Sequence, residues 1–500
     1  MLALEQEWLG SGLPVAALME AVGQAMASWF LQRRNRLENG VLILVGPGHN
    51  GGDGLVLGRR LMHAGIAVRL WAALPLRRSL TQEHWRHLEW LGADVQKTEP
   101  DPMDSALWVD ALFGLGQKRP LPETLALLLR KRQRVCPRRL ISLDVPSGMD
   151  SNSGVSYCGG SAVASDTLCV GLIKRGLVQD AALANVGRLH RLDPGVPIRL
   201  IAQLKDSPVL RVNAKDLVTL PVPPERPTAM KYERGRALLV AGSEHYPGAA
   251  LLAARGALAS GVGSLKAVLP ETVADSIWQW MPELVLAASL AATQSGGLDW
   301  GQWLANADLS RLDALLLGPG VGALDGKWDD WAEPLLAFQG LLVLDADALN
   351  ALAASNEGWC WLRRRQSPTW ITPHRSEFDR LFPDMRQLEP LEAARAAAAG
   401  SGVVVLLKGA HTVIADPNGA LTQIVETSVQ GARTGLGDLL AGFAVGWGAR
   451  IVACEQKPDG NALTAAALVH AQASITCETG TSAGLIAERL AVMTRKICGN

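Results

Sequence analysis

Five oxygen-bearing side chains, spread over some hundred residues, sit in comparable settings. Asn50 and Asp53 lie in GPGHNGGDG (46–54), directly after the apolar run VLILVG (41–46). Asp110 lies in LWVDALFG (107–114), and Asp144 and Ser147 lie in LISLDVPSG (140–148). Strand ends of a parallel sheet converge on one crevice, so these five groups can meet there. Carboxylate, amide and hydroxyl oxygens suit a hard cation or proton transfer on a polar substrate. The Gly-rich turn lets backbone N–H groups approach an anion at a helix N-terminus. It has neither the GxGxxG order of a dinucleotide fingerprint nor the GK[ST] of a P-loop, so a plain strand–helix turn stays open.

A second set lies far downstream. TGLGDLLAG (434–442) pairs a glycine turn with Asp438 at the start of a helix. Backbone N–H groups of 435–438 can hold a transferring phosphoryl group, and Asp438 can take a proton from a hydroxyl as general base. An N-cap role for Asp438 alone leaves its companions unexplained. These are KGAHT (408–412), TPHRSE (372–377), GPGVG (318–322) and LDADALN (344–350), each after an apolar strand. Lys408 brings positive charge for phosphates. His374 faces substrate or serves the fold. Two other patterns carry less: His84 and His87 form HxxH without the Glu of a zinc protease, and read as a helix surface. The paired tryptophans, among 16 Trp against 3 Tyr and 6 Phe, read as packing or half-exposed surface.

The elements that must position these groups follow from apolar patterning. VLILVG, VRLWAAL (68–74), LWVDALFG, LISLDVPSG and TLCVGLI (167–173) are short, nearly continuous apolar runs, which suits strands buried on both faces. GLVLGRRLMHAG reads as the crossover helix between the first two. Seven prolines between 194 and 227 then predict an interdomain connection. A second strand series follows: 236–243, 264–270, 314–320, 340–350, 369–374 and 403–415. Helices at Ala249–Ser260 and Leu391–Ala399 lie between them.

Five hundred residues allow two to four domains. The formal net charge is zero, which disfavours a nucleic-acid binder, yet residues 1–205 carry +6 and residues 206–500 carry −6. Seven cysteines without a CxxC fit a reducing compartment. The acidic start MLALEQEWLG does not read as a signal peptide, and no apolar run reaches the length of a membrane span. The expectation is a cytoplasmic protein with no membrane and no nucleic-acid partner.

HNGGDG, VDALFGLG and LDVPSG resemble the three signatures of the NAD(P)HX epimerase domain, and GLPVAALMEAVG (12–23) resembles that family's N-terminal helix. The likeness covers residues 1–205 and implies a Rossmann-like three-layer α/β/α domain. It implies that Asn50, Asp110 and Ser147 hold K⁺. It assigns hydrated NADH or NADPH to the 49–53 loop (His49, Asn50, Gly51, Gly52, Asp53) and the 114–120 loop (Gly114, Leu115, Gly116, Gln117, Lys118, Arg119, Pro120). The likeness also implies a substrate contact for Asp144, which is the residue expected nearest the proton transfer. The family has Asn-Asn where this chain has His49-Asn50, and the N-terminal helix is expected to start late.

The second set resembles the ADP-dependent NAD(P)HX dehydratase, a ribokinase-like α/β domain. GSEHYPGAALLAARGALASGVGSL (242–265) resembles its first loop and helix. The likeness implies that Ala249, Gly322, His374 and Asp438 contact the hydrate, with Asp438 catalytic. Lys408, Gly409, Ala410, His411, Thr412 and Gly437 would contact ADP, accompanied by Mg²⁺. The family's usual residues before the first strand and before the GLGD turn differ here, reading Met230-Lys231-Tyr232 and SVQGAR (428–433).

The expected organisation is thus an epimerase-like domain (1–205), a Pro-rich connection (206–226) and a dehydratase domain (227–500), forming a homo-oligomer. The alternatives are a ribokinase-like vitamin kinase, or a first domain that only binds or scaffolds.

Overall fold

The computed structural model describes residues 2–203, 209–323, 328–426 and 433–499. The chain divides into two compact units, Met1–Lys205 and Asp206–Asn500.

Among the described residues, the first unit contains β1 (Val41–Val45), β2 (Val68–Trp71), β3 (Asp94–Gln96), β4 (Leu107–Ala111), β5 (Leu140–Leu143), β6 (Asp166–Val170) and β7 (Arg188–Leu192). They form one parallel sheet in the order β3-β2-β1-β4-β5-β6-β7. Val41, Ile43 and Val45 enter one core, and Leu42 and Leu44 enter another on the opposite face. That alternation is why the strand reads as an unbroken apolar run: both faces are covered. The strand order reverses between β1 and β4, so a crevice opens at their C-terminal ends.

The 49–53 segment is not a loop. The helix His49–His63 begins at once after Gly48, so these residues form its first turns. Close packing explains this: a Cβ on Gly51 would lie 2.1 Å from the carbonyl oxygen of Gly46. The chain opens with two helices, Leu2–Gly10 and Val15–Leu31, and the stretch 12–23 falls on the turn between them and the second helix.

The second unit contains β8 (Val209–Val212), β9 (Arg236–Val240), β10 (Ser264–Pro270), β11 (Val285–Leu290), β12 (Ala314–Leu317) and β13 (Leu341–Leu344). β14 (Thr369–Ile371), β15 (Val404–Leu407), β16 (Thr412–Ala415) and β17 (Leu421–Ile424) follow. The sheet order is β11-β10-β9-β12-β13-β14-β15-β16-β17-β8. It is parallel from β11 to β15, and the β15–β16 and β16–β17 pairs are antiparallel. The apolar run 403–415 is therefore two strands of a hairpin, with 408–411 at the bend, because Lys408-Gly409 interrupts the strand pattern.

Part of the Pro-rich stretch is structural. β8 pairs in parallel with β17, and Asn213 and Asp216 close a capping box on the next turn. Residues 204–208 lie outside the described residues, as do 427–432, which include all of SVQGAR (428–433) but Arg433.

Among the described residues, one helix, Leu436–Ala453, is long and apolar enough to cross a membrane by length and composition. It is the helix that Asp438 was expected to open, with Asp438 and Arg450 the charged residues within it. It is the central core helix of this unit, mostly buried. It packs against the helix Pro247–Ala259 at backbone distance: a Cβ on Gly442 would meet the Ala253 carbonyl oxygen at 1.9 Å.

Candidate active sites

In the first unit, Asp110 is fully buried near the end of β4. Ser147 Oγ donates to Asp110 Oδ1 at 2.6 Å, and the Ser147 N–H donates to Oδ2 at 2.9 Å. Ser142 Oγ donates to Oδ2 at 2.9 Å. Burial pushes the Asp110 carboxyl up, against the pull of these donors. Asn50 has both amide atoms buried with no hydrogen-bond partner among the described residues. A buried amide left so is costly, and an oxygen-seeking cation would satisfy its Oδ1.

Asp144, just past β5, has a backbone φ of +66°, a conformation that costs a non-glycine residue energy and gathers at functional sites. Its Oδ2 accepts the Leu115 N–H at 3.2 Å, and its Oδ1 accepts the Val170 N–H at 3.3 Å. A Cβ on Gly114 would lie 3.2 Å from Asp144 Oδ2 and 3.4 Å from Asn50 Cγ, so the two side chains flank that glycine. Gln117 anchors the 114–120 loop by accepting the Gly148 N–H at 2.8 Å. Gly116, Lys118, Arg119 and Pro120 are exposed. Burial raises the Asp53 carboxyl well above its usual range, helped by the charges of Asp144 and Glu5. Burial, with Arg78 nearby, lowers His49.

In the second unit, Lys408 Nζ donates to Asp345 Oδ1 at 2.5 Å, and Thr372 Oγ1 donates to the same oxygen at 2.9 Å. Asp345 is buried at the end of β13. A Cβ on Gly437 would lie 3.5 Å from Lys408 Nζ, so the lysine reaches the GLGD turn. Gly435, with φ +87°, turns the chain into the helix that carries Asp438. Asp438 is pushed up to about 6, first by burial, then by Asp345, Asp347 and Glu377 against the pull of Lys408.

His374 caps the helix Arg375–Leu381, its Nδ1 accepting the N–H of Ser376 at 3.1 Å, while Glu377 accepts the His374 N–H. The same residue stands beside Lys408, whose N–H donates to the Pro373 carbonyl at 2.8 Å. Half-exposed, it serves the fold and still borders the site. Gly322 donates its N–H to Asp347 Oδ2 at 2.9 Å. A Cβ on Gly320 would meet Ala249 Cβ at 2.5 Å, so Ala249 adjoins the 318–322 turn. Thr412 Oγ1 donates to the Gly409 carbonyl at 3.3 Å, closing the hairpin bend.

Two family models match the chain: NAD(P)H-hydrate dehydratase over residues 237–495, and YjeF-related protein N-terminus over 15–176. The bifunctional NAD(P)H-hydrate repair enzyme Nnr of Synechocystis sp. is 38% identical over 499 residues, covering 97% of this chain and 91% of that one. The chain belongs to the bifunctional NAD(P)H-hydrate repair enzyme family. The relative of the same name from Gloeobacter violaceus is also 38% identical, over 90% of this chain and 87% of its own length. Among solved structures, the ADP/ATP-dependent NAD(P)H-hydrate dehydratase of Bacillus subtilis is similar to 58% of this chain and 99% of that one. Its TM-score is 0.47 at 26% identity.

In this repair enzyme, sequence reasoning passed over three residues that the geometry brings forward. Lys174 contacts Asp144 in the first unit. It follows the apolar run of β6, the same placement that singled out Lys408. Glu5, on the helix Leu2–Gly10, is raised by burial and by the charge of Asp144. No spacing announces it. Asp345 was read only as part of a motif, and its hold on Lys408 emerges from the packing of β13 beside β14 and β15.

Proposed function

We propose that the first unit interconverts the R and S hydrates of NADH and NADPH, and that the second converts the S hydrate to NAD(P)H with ADP. In the first step Asp144 is the group nearest the proton transfer at C6 of the nicotinamide ring. The C6–O bond breaks as its oxygen gains a proton, and water returns on the opposite face. Residues 49–53 and 114–120 hold the nucleotide. K⁺ would be held by Asn50, Asp110 and Ser147, where it would fix a substrate oxygen. The orphaned Asn50 amide fits that role.

In the second unit Asp438 takes the proton of the C6 hydroxyl as its oxygen attacks the terminal phosphorus of ADP. AMP leaves. The C6–O bond then breaks with loss of phosphate and of the C5 proton, restoring the C5=C6 bond. Phosphorylation is needed because hydroxide leaves poorly and phosphate leaves well. Lys408, Gly409, Ala410, His411, Thr412 and Gly437 contact the adenine nucleotide; Ala249, Gly322, His374 and Asp438 contact the hydrate. Mg²⁺ would travel with the phosphates, close to hard carboxylate oxygens such as those of Asp345 and Asp347.

One observation carries this reading. Asp438, pushed to about 6, shares a rim with Lys408 across Gly437, pairing a near-neutral base with a phosphate-binding cation. The test is turnover of S-NADHX followed at the NADH absorbance, with ADP and ATP compared. No NADH with either nucleotide would refute it.

We further propose that the protein works in the cytoplasm, as its free cysteines suit, and that it self-associates. The edge strand β11 leaves Val285 and Leu286 about half exposed, near Trp278 and Trp280, both more than 60% exposed. Light scattering on the eluted protein would give one chain mass if this surface stays unpaired.

A further inference from the structure

The first site holds three carboxyl groups that influence one another, Glu5, Asp53 and Asp144, and one ammonium, Lys174, acts on all three. The ammonium is not placed evenly among them. Lys174 Nζ donates to Asp144 Oδ1 and to the Val170 carbonyl oxygen, the latter at 2.7 Å, and lies 3.6 Å from the buried Cys169 Sγ. Its side chain is 3% exposed. Burying a lysine is costly unless it is paired, so this contact commits the cation to Asp144.

The backbone agrees with that commitment. Asp144 takes its positive φ just beyond β5, and Val170 ends β6, so both partners of Lys174 are fixed by adjacent, paired strands. The Val170 N–H and the Lys174 ammonium hold Oδ1, while Oδ2 accepts from Leu115 in the loop that borders Asn50. Burial works against the ammonium, yet the charges and hydrogen bonds of Asp144 and Cys169 together outweigh it and raise the lysine above its usual range. Asp53 and Glu5 are both raised, which favours their neutral acid forms.

We propose that Lys174 is a positioning residue of the epimerase site, aiming the Asp144 carboxylate at the substrate and holding it there as the proton acceptor. This rests on the reading of Asp144 as the group at the proton transfer. Epimerisation needs a proton delivered to the departing oxygen and another removed from the entering water. One ammonium committed to one of three carboxyls supplies that asymmetry.

The experiment uses the full chain without nucleotide, so that the S hydrate is not consumed, and follows R-to-S conversion of NADHX above the spontaneous rate. K174M should lower kcat by roughly a hundredfold with KM changed by no more than about threefold. K174R, which keeps the charge, should regain about tenfold or more over K174M. A K174M kcat within about threefold of the parent, with D144N inactive, would overturn the role of Lys174. Should K174M fail to fold, K174R decides: a kcat as low as that of D144N would overturn it. Retained activity in D144N would refute the reading of Asp144 instead.

Discussion

Lys408 Nζ and Asp345 Oδ1 meet at 2.5 Å at the C-terminal edge of the second sheet. Thr372 supports the same carboxylate from β14's end, so Lys408 is held near the GLGD turn. Its charge offsets the acids around Asp438, and in the proposed reaction it is the cation that meets the phosphates. The unit's own net charge is −6, so attraction for two polyanionic nucleotides must be local.

Lys408→Met should therefore raise KM for ADP by about tenfold or more, with KM for the hydrate little changed. Initial rates over an ADP titration check this. Asp345→Asn should have a smaller effect of the same kind.

Asp438→Ala should reduce hydrate-to-NADH conversion by at least about a thousandfold while the thermal transition stays within a few degrees of the parent. In the mechanism proposed above, the carboxylate form of Asp438 is the base. A value of about 6 makes activity fall as pH drops through 6 and level off above 7. The pH dependence of kcat/KM for S-NADHX reads this limb.

Replacing K⁺ by a larger organic cation should slow epimerisation in the parent. Asn50→Ala should be slow in either medium, because the buried amide that fits the ion is gone. Chiral separation of the hydrates at varied K⁺ gives both rates.

Gly442→Ala should cost about 2 kcal/mol or more of stability in the second unit, since the new methyl meets the Ala253 carbonyl in a close helix pair. Chemical denaturation of the full chain, followed by far-ultraviolet circular dichroism, measures it.

The sequence made most of the strands legible because both faces of each sheet are covered. Leu42 and Leu44 are as buried as Val41 and Ile43, so no polar alternation disguises β1. It hid the short or exposed ones: β3 carries Asp94 and Gln96, β7 reads RLHRL, and β11 is largely exposed. The hairpin at Lys408–His411 was hidden because VVVLLKGAHTVIA looks continuous until glycine and lysine are weighed against it. The motifs exposed Asp144, two residues before Pro146, and Asp438, directly after Gly437. Lys174 carried only the weak signal of a strand end, and Glu5 stayed out of view because its part depends on tertiary contact alone. Trp300, Trp328 and Trp361 form an edge-to-face cluster, as a packing role requires.

The most direct measurement is the yield of NADH from an equal mixture of R- and S-NADHX given the full chain, ADP, Mg²⁺ and K⁺. The account requires recovery of the whole hydrate pool, the second half arriving faster than spontaneous epimerisation allows. NADH that stops at half the pool, then climbs only at the spontaneous rate, would contradict it.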